Sequence, residues 1–254
     1  MTIKAERLQY IVEVAHKHGK TTVAELSEYF GISDITTRRD LKELEEQGLV
    51  RRAHGGAVYA VKRQSEAPVI QRMLNNLSDK ERIAQAAAKL VEPDDSIFIG
   101  SGSTTTYVAR YLKDYPNLTV VTNAISVVTE LAPHNNVTVV VLGGMLRRSE
   151  LSMIGHITEQ ALREVRVDKV FFGMQKIDIE SGLTNDYLPE VMTDRAIIDM
   201  GSRLILVADH SKFGGVSSAY VAPVERVTTL VTDTQTDKDF LTQLHNMGIE
   251  VIIA

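Results

Sequence analysis

Cysteine is absent from this chain of 254 residues, which excludes disulfides and thiolate metal sites and fits a reducing compartment. Long apolar runs are absent too: no stretch suffices to cross a bilayer, so no membrane partner is expected. The N-terminal stretch carries Glu6 and Arg7, and no signal-peptide hydrophobic region follows, so the expected location is the cytoplasm. The seven histidines do not fall at ligand spacing with carboxylates, and neither a metal nor any other cofactor is expected. Positive charge is scarce overall, with 28 Lys and Arg against 33 Asp and Glu, a net charge of −5. That balance argues against nucleic acid until its distribution is considered. Residues 1–62 hold 10 basic against 9 acidic side chains, whereas the remainder holds 18 against 24.

What is present is a hydrophobic share of 44%, sufficient for a full core, and enough length for a small module plus a larger domain. Leu8, Ile11, Val12 and Ala15 recur at helical spacing, predicting a first helix that ends near His18 and Gly19. Thr22 with Glu25 fits a capping box for a second helix, whose apolar stripe is Val23, Leu26 and Phe30. Gly31 supplies a turn, and Ser33 is the expected N-cap of a third helix that stops at Gly48. On that helix, Thr37, Leu41 and Leu44 share one face, while Ile35, Arg38, Arg39 and Lys42 share the other. A short basic hairpin follows, with Arg51, Arg52, His54 and two glycines, Gly55 and Gly56, expected at its tip.

A helix for the major groove and a basic hairpin for the backbone is the layout of a winged helix-turn-helix. The expected DNA surface is Ser33, Ile35, Thr36, Arg38, Arg39 and Lys42 on the helix, with Arg51, Arg52, His54 and Gly55 on the wing. The bland alternative for the helix is a solvated charged face. Residues 33–56 resemble the N-terminal signature of the DeoR family of bacterial sugar-metabolism regulators, usually Thr-Ile-Arg-Arg-Asp-Leu followed by His-Gly-Gly-Ala. Thr37 stands where that family carries isoleucine, on the face expected to be buried.

Beyond residue 58, residues 59–76 show no clean periodicity and contain Pro68, so they read as a connector with one short helical turn at most. Ser78, Asp79, Lys80 and Glu81 read as a second capping box that opens a domain over 77–254. There, β-rich runs at 96–99, 119–122, 137–142, 169–172, 204–208, 229–232 and 250–253 alternate with helical stretches. The alternation predicts an α/β fold, a mostly parallel sheet with helices on both faces, whose ligands sit beyond the carboxyl ends of strands. The first such end holds Gly100, Ser101, Gly102, Ser103, Thr104 and Thr105 directly before a helix. Small residues, hydroxyls and a helix N-terminus suit an anion, or else form only a tight turn. Later strand ends bring Asn123, then Gly143, Gly144 and Arg147, then Gln175 and Lys176, then Lys212, with Glu190 ahead of another helix.

This second region resembles the DeoR-type sensor domain, related in fold to ribose-5-phosphate isomerase and glucosamine-6-phosphate deaminase. The resemblance implies a phosphorylated sugar bound around Gly100 to Thr105, with Asn123, Arg147, Glu190 and Lys212 completing the pocket. Many members carry an acidic residue at the position of Gly100 and Asp-Gly at Gln175 and Lys176. These departures suggest an effector with an extra anionic group, such as a sugar acid, paired with Lys176; a solvent-facing Lys176 is the alternative. The expected function is a repressor of a carbohydrate-utilisation operon, not an enzyme, binding operator DNA as a homo-oligomer, dimer or tetramer. Two rivals are weighed: a sugar-phosphate isomerase or deaminase tethered to DNA, and an architectural protein whose second domain only assembles.

Overall fold

The computed structural model describes residues 4–18, 20–46, 50–53, 56–59 and 67–254. The chain divides into two compact units, Met1–Ser65 and Glu66–Ala254.

In the first unit, α1 (Lys4–His18), α2 (Val23–Phe30) and α3 (Asp34–Glu46) accompany a three-stranded antiparallel sheet. Its strands are β1 (Lys20–Thr22), β2 (Val50–Ala53) and β3 (Gly56–Tyr59), ordered β1-β3-β2. The core is small: Ile11 and Ala15 from α1, Val23 and Leu26 from α2, Leu41 and Leu44 from α3, and Val50. Thr22 forms the expected capping box, with Glu25 N donating to Thr22 Oγ1 at 3.2 Å and Thr22 N to Glu25 Oε2 at 2.8 Å. Gly31 closes α2 at φ 62°, a left-handed cap. Asp40, buried on α3, accepts Arg7 Nε at 2.6 Å and Nη2 at 3.2 Å, a bidentate clamp between α1 and α3.

β1 is a strand the sequence reading did not foresee, and it changes the account of Gly56. Rather than sitting at a tip, Gly56 opens β3, paired with both Ala53 and Thr22. A Cβ there would lie 2.2 Å from the carbonyl oxygen of Thr21, so the crossing of β1 demands glycine.

The second unit is built on seven parallel strands, ordered β15-β14-β12-β9-β4-β5-β6. They are β4 (Ser96–Ile99), β5 (Leu118–Thr122), β6 (Val137–Val141), β9 (Val167–Phe172), β12 (Gly201–Val207), β14 (Thr229–Thr232) and β15 (Glu250–Ile253). Each contains or overlaps one of the runs read from the sequence. Alternate side chains enter two cores: Ile97, Ile99, Phe171 and Ile205 join one, Phe98, Phe172, Leu204 and Leu206 the other. The first core is covered by α5 (Leu77–Ala88), α6 (Ser103–Leu112) and α7 (Ile125–Leu131). The other is covered by α8 (His156–Glu164), α9 (Val191–Met200) and α10 (Lys238–Asn246). The chain runs from β4 outward to β5 and β6, then returns to lay β9 on the other side of β4. The reversal makes the carboxyl ends of β4 and β9 a topological switch point, where a crevice is expected.

Two additions were not legible: a hairpin of β7 (Met145–Arg147) and β8 (Ser152–Ile154), and a small antiparallel sheet. That sheet joins β10 (Lys176–Asp178), β11 (Gly182–Asn185) and β13 (Ala219–Ala222). Two expectations are corrected. Part of the supposed connector is built into the second unit: α4 (Val69–Met73) buries Val69, whose N–H donates to Ser149 O at 2.8 Å. Ser78 is not an N-cap; α5 begins at Leu77, capped by Asn76 in a left-handed conformation without a side-chain bond. Ser78 therefore already lies inside the helix, and the box has no non-helical residue to act from.

Candidate functional site

On α3, Ser33 Oγ accepts the Thr36 N–H at 3.3 Å and lies 3.0 Å from the Thr36 hydroxyl, so it is used as a cap. Thr37 is buried and its hydroxyl bonds that of Ser27 at 2.8 Å. Opposite, Ile35 is 80% exposed, and Arg38, Arg39 and Lys42 are exposed beside it. An isoleucine that open at a helix start, flanked by three cations, adds nothing to the core of this unit among the described residues. Arg51 and Arg52 lie on β2, while His54 and Gly55 fall outside the described residues.

The site in the second unit is a cleft of about 580 Å³, open to solvent, at the switch point of the parallel sheet. Residues 101–105 form one wall, Phe172, Gly173, Met174 and Gln175 another, and Arg147, Glu190 and Lys212 also line it. Gly102 caps α6 at φ 144°, a conformation that side chains rarely adopt, and a Cβ would sit 3.0 Å from Thr105 Oγ1. The carbonyl of Gly102 accepts the hydroxyls of Thr105 at 3.0 Å and Thr106 at 2.7 Å, which fixes the loop. Ser101, Ser103 and Thr104 keep hydroxyls without such a bond among the described residues, beside the first-turn N–H groups of α6. That is a polar, electropositive rim suited to an anion.

The far side is a chained network. Arg147 pairs with Glu190, donates from Nε to Ser149 Oγ at 3.2 Å, and lies 4.4 Å from the centre of the Tyr187 ring. Glu190 accepts Ser152 Oγ at 3.0 Å and Asn185 Nδ2 at 3.2 Å; Asn185 Nδ2 also donates to Asp194 Oδ2 at 2.7 Å. Asp194 is buried, and burial holds its carboxyl well above the usual aspartate range, with the charge of Glu190 adding to the shift. Asn185 and Arg147 oppose without reversing it. The cleft thus sets the cations Arg72, Arg147 and Lys212 against the carboxyls of Glu150, Glu190 and Asp194.

Several residues expected here lie elsewhere. Gly100 is buried, and a Cβ on it would strike the Phe172 ring at 2.6 Å, so its role is packing. Asn123 donates to Met153 O at 2.9 Å, holding β8, and does not line the cleft. Gly143 accepts the Thr158 hydroxyl at 2.7 Å, and a Cβ on Gly144 would meet that same oxygen; both serve α8. Lys176 donates to Ser211 O at 2.9 Å and does not line the cleft. Sequence reasoning missed Arg72, Glu150, Asn185 and Asp194. Asp194 was within reach, since Glu190 and Asp194 are spaced i, i+4 at a helix start.

The expectation that histidines avoid carboxylates also needs correction. His210, Asp79 and Asp233 offer ligand atoms within 4.8 Å of one another. Their carboxylates are already engaged: Asp233 accepts His210 N and Gln235 N, each at 2.8 Å, while Asp79 accepts Arg82 at 2.7 Å and Gln235 at 3.2 Å. No described helix is long and apolar enough to cross a membrane.

Against known proteins, the family model described as a DeoR-like helix-turn-helix domain matches residues 7–63. The one described as the DeoR C terminal sensor domain matches residues 75–234. The transcriptional repressor AccR of Agrobacterium fabrum is 36% identical over 232 residues, covering 91% of this chain and 90% of that protein. The glycerol-3-phosphate regulon repressor of Escherichia coli (strain K12) is 34% identical over 230 residues, 91% of each chain. These relatives are regulators of transcription, not enzymes. A solved ribose 5-phosphate isomerase from Methanocaldococcus jannaschii overlaps 55% of this chain and 56% of its own at a TM-score of 0.41 and 18% identity.

Proposed function

We propose, because the chain belongs to the DeoR family of transcriptional regulators, that it represses a carbohydrate-related operon in the cytoplasm under the control of a phosphorylated polyol or sugar. In this reading α3 enters the major groove, with Arg38, Arg39 and Lys42 on bases or phosphates and Ile35 against a thymine methyl. Two-fold operator symmetry would call for a dimer or a tetramer of the chain. The effector lies in the cleft with its phosphate on residues 101–105 and its hydroxyls toward Asn185, Glu190 and Asp194.

The observation that carries the reading is the polarity of the cleft. A helix N-terminus with hydroxyls, Arg72 and Lys212 shares the cleft with the acceptor-rich carboxyls of Glu190 and Asp194. A second anionic group on the effector would find Lys176 outside the cleft and Arg147 already paired with Glu190. The sugar-acid version of the expectation therefore loses its partner, and a neutral polyol body is favoured. Thermal-shift measurement against phosphorylated polyols and sugars, with their unphosphorylated counterparts and sugar acids, tests this. Glycerol 3-phosphate is the first to try, since the Escherichia coli relative is a glycerol-3-phosphate regulon repressor. Stabilisation that requires the phosphate and is lost with an added carboxylate is expected; stabilisation by no phosphate ester would sink the reading.

A further inference from the structure

We infer that Arg72 ligates the effector's phosphate and that residues 67–76, which carry it, transmit occupancy of the cleft toward the DNA-reading unit. The inference rests on the effector reading above and adds a residue and a route to it. Arg72 lines the cleft. It also lines the adjoining depression, and so do Ser103 and Lys212. The guanidinium is thus gathered with the N-terminus of α6 and a second cation, where a phosphate would be held. An arginine fork binds phosphate through two parallel bonds, which a lysine cannot reproduce.

The placement of Arg72 in the chain gives this contact its consequence. The two units divide between Ser65 and Glu66, and α4 is the first element beyond that division. Its hold on the second unit is part apolar and part polar. Val69 is buried and Met73 packs half-buried on the core, but Ile70 and Leu74 are exposed. Arg72 pairs with Glu150 and donates from Nε to Ala67 O at 2.8 Å. Lys80, almost wholly buried, donates to Arg72 O at 2.9 Å and also to Asn75 O. Asn76 Nδ2 reaches Asp209 Oδ1 at 3.4 Å, and Lys80 Nζ lies 3.7 Å from Asp209 Oδ2.

These tethers end in loops that shape the cleft. Glu150 and Ser149 lie between β7 and β8, three and two residues from Arg147; Asp209 lies three residues before Lys212. A phosphate dianion beside Arg72 competes with Glu150 for the guanidinium, so binding alters the bond that fastens α4. With only Val69 and Met73 as apolar anchors, the polar tethers can be remade at small cost, the property a two-state element needs. Differential binding to the two arrangements then couples the cleft to whatever α4 leads into.

Hydrogen exchange of the full chain, with and without inorganic phosphate, tests the inference. Phosphate is expected to protect amides in residues 101–106 and to change exchange in residues 69–78. Arg72→Gln is expected to bind phosphate at least about tenfold more weakly and to lose the response at 69–78. Protection at 101–106 with 69–78 unmoved, or undiminished binding by Arg72→Gln, overturns the inference and leaves the effector reading intact. No response at 101–106 overturns the effector reading itself, and the inference with it. Should Arg72→Gln fail to fold, Glu150→Gln serves: residues 69–78 should exchange faster without phosphate and recover with it. Exchange at 69–78 in Glu150→Gln that is identical with and without phosphate would equally overturn the inference.

Discussion

Thr37 shows how much a single side chain can settle. Helical spacing assigns it to the inner face and Ile35 to the outer one, against their hydropathies, and both are found there. What spacing does not reveal is the partner. The Thr37 and Ser27 hydroxyls bond at 2.8 Å inside the core, so each satisfies the other. Thr37→Val keeps the shape and leaves the Ser27 hydroxyl buried without that bond, which should cost about 1–3 kcal/mol. Adding Ser27→Ala should recover most of it, because removing both polar partners is nearly neutral. Urea melts of the two single variants and the double variant check this; additive losses would show that the pair is not a unit.

At Asp194 the same scale yields a pH dependence. Burial, reinforced by Glu190, raises its carboxyl well above the ordinary value of 3.8. Below that value the folded and unfolded chains both hold the proton. As pH rises past it, the unfolded chain releases the proton while the folded chain keeps it, so stability falls until the raised folded value is passed. Asp194→Asn removes this penalty and can still accept from Asn185. Its stability advantage over the parent chain should therefore grow between pH 4 and pH 8. An advantage constant across that range would mean that the folded chain carries Asp194 ionised throughout.

At the scale of elements, the seven sheet strands were legible because parallel strands covered on both faces read as short continuous apolar runs. Phe171 and Phe172 enter opposite cores, and neither could be polar without exposing a core to a buried charge or hydroxyl. The residues at β4 and the start of α6 were legible for a different reason: small and hydroxyl residues between a strand and a helix have few other uses. The strands β7, β8 and β10 have three residues each, too few for alternation to rise above chance. α4 has five residues, hardly more than one turn, so its one buried side chain shows no period and the segment read as a connector. Arg72 was hidden with it. Capping boxes divided on backbone context: Thr22 ends a strand and has the extended conformation an N-cap requires, whereas Ser78 follows a turn already closed by Asn76.

At the scale of the whole molecule, the charge distribution governs how DNA is engaged. The chain carries −5 overall, yet its first 62 residues are close to neutral and concentrate cations on α3 and β2. An acidic remainder weakens unspecific attraction to DNA, so the few cations on the reading face must supply the phosphate contacts. Affinity for a DNA fragment selected from random sequence should then fall steeply with salt, with a log–log slope of about −0.9 per neutralised phosphate. Arg38→Ala, Arg39→Ala and Lys42→Ala separate the roles on α3. A side chain on a phosphate should lower the slope by about one and weaken all sequences alike, while one on a base edge should relax preference at a single position. Ile35→Ala should leave the slope unchanged and relax the preference for thymine at one position. If none of these four substitutions alters slope or preference, the outer face of α3 does not read DNA. The cations would then be a solvated helix surface, and the exposed isoleucine would need another explanation.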